Sequence, residues 1–221
     1  MKKTFLAIAW AVGVAGAFSA QADNVSIVSP GSTWEYTFTD PGASAWNTGA
    51  TPSGWLSGPA PFGNNTGGYW TDPAGNFDYA TYWPADTNSD NDLWVRTTFD
   101  LYQTEWDLNS ITWGLGVDNG YTLYLNGTLI SSASAGGYTS QWEYTGSFTT
   151  PTLVQGVNVL AIALQDMGGL TAFDMEVRGN FDTSGGATPN PSGIVPLPGA
   201  AAMGFLGMGC LGLVRRRKQT A

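Results

Sequence analysis

The 221-residue sequence predicts an all-β fold, an antiparallel β-sandwich, set between two apolar segments that belong to neither sheet. Three observations predict it. The body alternates apolar and polar residues with period two and shows no helical periodicity. Turns rich in Gly, Asn and Asp interrupt it at short intervals, as in sandwiches and barrels. Residues 23–182 contain neither Cys nor His, so no disulfide or His-ligated metal staples the domain. A span of that length can bury a core of its own.

The elements follow in order. Residues 1–22, MKKTFLAIAWAVGVAGAFSAQA, have two lysines, an apolar run and a small-x-small end. This is the pattern of a secretory signal peptide and is set aside from the fold. Residues 40–92 are rich in Gly, Pro and Asn and carry few strand signals. LWVRTTFDL places Leu93, Val95, Thr97, Phe99 and Leu101 on one face and Trp94, Arg96, Thr98 and Asp100 on the other. LNSITWGLGV at 108–117 predicts the next strand. Asp118-Asn119-Gly120 predicts a tight hairpin turn, and Asn126-Gly127 a type I′ turn. VNVLAIALQ at 157–165 is apolar on both faces and predicts a central buried strand. TAFDMEVRGNF at 171–181 alternates again, with Glu176 pointing outward. TSGGATPNPSGI at 183–194 has the composition of a flexible spacer.

The chain closes on VPLPGAAAMGFLGMGCLGLVRRRKQTA, residues 195–221. Gly199–Val214 carries no charge. As a helix it would span roughly 24 Å, against about 30 Å for a bilayer core. Arg215, Arg216, Arg217 and Lys218 follow and would hold the C-terminus in the cytoplasm. The order Val195-Pro196-Leu197-Pro198, short apolar helix, basic cluster resembles the PEP-CTERM sorting signal in a VPLP variant. Leu197 stands where that family usually has Glu. The resemblance implies an exosortase-type processing enzyme as partner and transient inner-membrane anchoring. It further implies delivery to the cell surface or extracellular matrix of an exopolysaccharide-making Gram-negative bacterium. A permanent single-pass anchor is the alternative.

The run DLWVRTTFDL, VDNGYTLYLNGTLI, GVNVLAIAL, FDMEVRG, with GWLSGPAPFGNN upstream, is similar to the galactose-binding-like jelly roll. That resemblance implies a sandwich over about residues 55–181. Such domains often bind carbohydrate, whereas others only pack against a neighbouring domain.

Charge excludes several function classes. Of eight cations, only Arg96 and Arg178 lie in the body, against all 17 acidic residues, so residues 23–182 carry a net −15. Nucleic acid is excluded as a partner, because phosphate contacts need clustered cations. Without His, and with Cys210 confined to the tail, Ser-His-Asp and Cys-His chemistry are excluded as well. Trp55, Trp70 and Trp83 of the 40–92 stretch are candidate glycan platforms, the alternative being plugs in a core. Asp86, Asn88, Asp90 and Asp92 alternate like the start of a calcium loop. Asn91 stands where an EF-hand needs Gly, so the choice lies between another kind of calcium site and a solvated acidic turn. The body has four Glu (Glu35, Glu105, Glu143, Glu176) and no marked catalytic pair. The expectation is a non-catalytic, secreted structural or adhesive protein of the extracellular polysaccharide matrix. A carbohydrate-binding module with a defined glycan is the alternative, and a glycoside hydrolase the third reading.

Overall fold

The computed structural model describes residues 22–43, 45–64, 78–85, 91–134 and 141–190. Residues 1–21 of the expected signal peptide, the VPLP motif, the basic cluster, Trp70, Asp86, Asn88 and Asp90 lie outside the described residues. Within them every regular element is a strand: β1 (Ala22–Val28), β2 (Thr33–Thr37), β3 (Leu56–Pro59), β4 (Phe62–Gly63), β5 (Thr81–Tyr82), β6 (Leu93–Asp100), β7 (Trp106–Asp118), β8 (Gly120–Leu125), β9 (Thr128–Ala133), β10 (Tyr144–Ser147), β11 (Val157–Gln165) and β12 (Ala172–Asp182).

Two six-stranded sheets form a sandwich. The first runs β10-β7-β12-β4-β5, with β1 also on β12, and the second runs β3-β2-β6-β11-β8-β9. All pairings are antiparallel except β4 with β5. The alternation in β6 is realised: Leu93, Val95, Thr97 and Phe99 are buried, as is Leu101 beyond its end. β11 lies between β6 and β8, and its two-faced apolar composition fits that central place. Asn126 (φ 51°) and Gly127 (φ 79°) both take the left-handed conformation that a two-residue hairpin needs.

The core fills the space between the sheets. Trp34 of β2 meets Phe173 of β12 edge-on at 5.2 Å, and Phe62 of β4 lies 5.8 Å from Phe173. All three are fully buried. Each contributes on the order of 2–3 kcal/mol of apolar burial, which ties the sheets together.

Three expectations change. Asp118-Asn119-Gly120 is not a hairpin turn, because β7 and β8 lie in different sheets. The chain turns a corner there, with Asp118 and Asn119 buried. Residues 183–190 are not a free spacer. Gln103 grips them with both ends of its amide, donating to the Thr188 carbonyl (3.1 Å) and accepting from the Asn190 N–H (2.9 Å). The 40–92 stretch contains β3, β4 and β5, strands too short for an alternation signal.

Candidate functional site

The two outer faces of the sandwich are built differently. Over the second sheet lies the loop that holds residues 45–50. Arg96 projects from β6 into this loop and is 0% exposed. Its Nη1 donates to the carbonyls of Trp46 and Ala50 (both 3.0 Å), and its Nη2 to that of Gly49 (2.6 Å). Nε lies 3.4 Å from Glu35 Oε2, an ion-pair distance. Burial lowers the Arg96 pKa, and the Glu35 charge opposes that. Glu35 also accepts from Thr51 Oγ1. Trp46 is buried against Trp55 (6.1 Å, stacked) and Tyr124 (5.8 Å, edge-on). The loop covers part of this face and leaves a mainly apolar cavity of about 410 Å³ beside it, between residues 48–50 and Thr98, Asn126, Val157 and Val159.

On the outer face of the first sheet, alternation sends Ile111, Trp113, Leu115 and Val117 of β7 into the core. It leaves Thr112, Gly114 and Gly116 outward. Register aligns Thr145 of β10, Gly114 of β7 and Glu176 of β12 in one row. The next row is Ser147, Thr112 and Arg178. The Trp142 indole, half-buried, lies over Gly114. A Cβ on Gly114 would sit 3.3 Å from the ring, so only Gly allows this approach without displacing it. Trp142 has φ 57°, a conformation that costs a bulky residue on the order of 1 kcal/mol or more. Trp142, Thr112, Thr145, Ser147 and Glu176 line a groove of about 380 Å³. That is the size range of small-ligand sites. Arg178 donates to Glu176 Oε2 (3.1 Å) and to Asn24 Oδ1 (3.1 Å).

A third polar group sits at the β7–β8 corner. Asn119 Nδ2 donates to Asp118 Oδ1 (2.6 Å), and Asn119 Oδ1 accepts from Met167 N (2.7 Å). Asp166 accepts from Gly168 N (2.7 Å), and Asp92 accepts from Asp166 N (3.0 Å). Burial, helped by the Asp166 charge, pushes Asp118 up to about 6. These bonds hold the corner together. Among the described residues no group of three or more His, Cys, Asp or Glu is arranged to hold a metal ion.

The sequence candidates fare unevenly. Trp83 is 0% exposed, donates from Nε1 to the Asn91 carbonyl (2.7 Å) and offers no face to a sugar. It is a core plug, held also by Thr171 Oγ1 donating to its carbonyl (2.6 Å). Trp55 is half-buried on the second sheet's outer face, stacked against Trp46. Asp92 belongs to the corner. Trp142 and its glycine floor were missed. The signal was present in TWGLGV, where both glycines fall on the outward parity of a strand.

No family model matches the chain, and no curated protein matches it. Solved structures of similar fold include β-glucuronidase from Ruminococcus gnavus in complex with uronic isofagomine (17% identity, TM-score 0.45, covering 72% of this chain and 28% of that one). Another is Bifidobacterium dentium β-glucuronidase complexed with coumarin-3-O-glucuronide (18%, 0.41, 66% and 21%). A third is a calcium-binding mutant of Bacteroides uniformis β-glucuronidase 2 (17%, 0.46, 72% and 18%). The chain spans less than a third of the length of each of these enzymes. The likeness concerns all-β architecture and brings no activity with it.

Proposed function

We propose that this protein is a non-catalytic glycan-binding sandwich of the extracellular polysaccharide matrix, and that its sugar site is the Trp142 groove. The carrying observation is a half-buried indole held in a strained backbone conformation over a bare glycine floor. Such a ring can stack on the apolar face of a pyranose. Thr112, Thr145, Ser147 and Glu176 stand where its hydroxyls would need partners. A glycosidase needs two carboxylates about 5–10 Å apart. Glu176 is the only carboxylate lining the groove among the described residues, and it is ion-paired to Arg178.

The finer assignments are part of the same reading. The sandwich is a galactose-binding-like jelly roll, supported by the sequence run from β6 to β12. The N-terminal segment exports the chain, and the VPLP tail gives it to an exosortase-type enzyme after transient inner-membrane anchoring. The body then acts as an adhesive component at the surface of a Gram-negative bacterium.

A glycan array followed by titration tests the site. Trp142→Ala is expected to weaken binding at least tenfold, about 1.4 kcal/mol, at an unchanged melting temperature. Trp142→Phe is expected to keep part of the affinity. Equal binding by Trp142→Ala would remove the groove from the account. Turnover of an aryl glycoside, abolished by Glu176→Gln, would replace the reading with a hydrolase.

A further inference from the structure

We infer that the Trp142 groove takes a neutral glycan and rejects uronate or sulfated polysaccharides; this rests on the groove being a sugar site. Recognition of a carboxylate or sulfate group usually relies on a guanidinium or ammonium with free donors. The body has two cations, Arg96 and Arg178. Arg96 is wholly buried on the other sheet, its two Nη atoms bonded to three loop carbonyls and its Nε at ion-pair distance from Glu35. Arg178 stands at the groove with its side chain 45% exposed, but its Nε is bound by Glu176 and its Nη1 by Asn24. Its Nη2 keeps exposed donors, but Glu176 balances its charge and, unlike Arg178, lines the groove, so an anionic ligand meets the carboxylate first.

The wider field acts the same way. A net charge of −15 over residues 23–182 repels a polyanion at long range. Close to the groove that repulsion persists within a Debye length of about 8 Å at physiological salt. A neutral sugar meets neither obstacle. Its hydroxyls can donate to Glu176 and exchange bonds with the Thr112, Thr145 and Ser147 hydroxyls, while its C–H face covers the indole. Such binding involves no net charge pairing and responds little to salt.

The experiment titrates the protein and its Trp142→Ala variant with neutral oligosaccharides (gluco-, galacto- and manno-configured) and with oligouronates and sulfated oligosaccharides. Each titration is run at 20 mM and 500 mM NaCl, with chelator and with millimolar calcium. The expected result is Trp142-dependent binding of a neutral glycan, with Kd changing less than twofold across the salt range. Anionic ligands are expected to bind at least tenfold more weakly under all four conditions. Trp142-dependent binding in which an anionic glycan equals or exceeds the neutral ones overturns the inference and leaves the sugar site standing. The same preference appearing only with calcium, through cation bridging, overturns it too. If no glycan of either class binds through Trp142, the sugar site itself fails and the inference falls with it.

Discussion

Asp174 gives the sharpest test of the electrostatics. It sits on β12 and is 3% exposed. Its carboxyl accepts from the amide of Met175 (2.8 Å) and from that of Gly31 in the β1–β2 turn. Burial pushes its pKa from 3.8 up to about 7; the two backbone hydrogen bonds pull the other way, and Glu176 adds a smaller push upward. The folded protein therefore holds this proton to near neutrality, whereas the unfolded chain releases it near 3.8. Between those values folding takes up a proton, so acid favours the folded state. The stabilisation is complete below about pH 4 and is lost as pH rises through 7. The full span is worth roughly 4 kcal/mol. The useful window is narrower. From pH 6 to 7.5 the Asp174 contribution falls by about 1.3 kcal/mol. Asp118, pushed up to about 6, adds a smaller loss of the same sign. The chain has no histidine, so no side chain of ordinary pKa obscures that window.

The assay is urea denaturation followed by Trp fluorescence at pH 5.5, 6, 7 and 7.5, on the protein and on Asp174→Asn. The amide keeps one acceptor oxygen for the Met175 N–H and has no proton to lose. Wild type is expected to lose stability as pH rises across the series. The variant is expected to lose most of that slope above pH 6 and to match or exceed wild type at pH 7.5. Wild-type stability that stays flat or rises over this range would refute the reasoning. So would an Asn variant with an unchanged slope, because the proton would then belong to another group.

Two further predictions follow. Arg96→Met removes the charge that holds the carbonyls of Trp46, Gly49 and Ala50. It should cost about 3 kcal/mol and roughly 6–12 °C of melting temperature, raise proteolysis within residues 45–51, and leave glycan affinity unchanged; wild-type stability in the variant would refute the clasp. Intact-mass analysis of membrane and extracellular fractions should find a released form that begins at Asp23 and ends within Val195–Pro198, and a membrane form retaining Arg215–Lys218 alone would point to a permanent anchor.

The fold was legible where a strand is long enough to show its period. β6, β7, β11 and β12 each run for eight residues or more; β6 and the ends of β7 and β12 away from the β7–β8 corner show the alternation, and β11 its two-faced burial. β4 and β5 have two residues each, and no alternation exists in two residues. The Asp118-Asn119-Gly120 corner was misread because local turn chemistry does not say whether the next strand pairs in the same sheet. The candidate site failed for a related reason. Counting aromatics in a long loop favours rings such as Trp83, which a large apolar surface draws into the core. Trp142 stands alone in sequence. It gains meaning only from Gly114 beneath it, and the two are brought together by the pairing of β10 with β7.

The contrast between the two outer faces argues for where the protein acts. A sheet face that meets only water needs no more than polar side chains. The second sheet instead carries a covering loop, fastened from within by one of the body's two cations. That arrangement covers part of a face and removes a charge from solvent. The first sheet has the opposite treatment. Its strand β7 has glycine at the outward positions 114 and 116, and a strained tryptophan lies over Gly114. Glycines in a strand interior weaken it, and a left-handed tryptophan costs more, so packing alone does not account for both at one place. The remaining cation, Arg178, stands beside this groove already tied to Glu176. The same distribution of two arginines thus buries one cation under a loop and sets the other beside the groove with its charge balanced by Glu176, which is the setting our proposal of a neutral glycan requires.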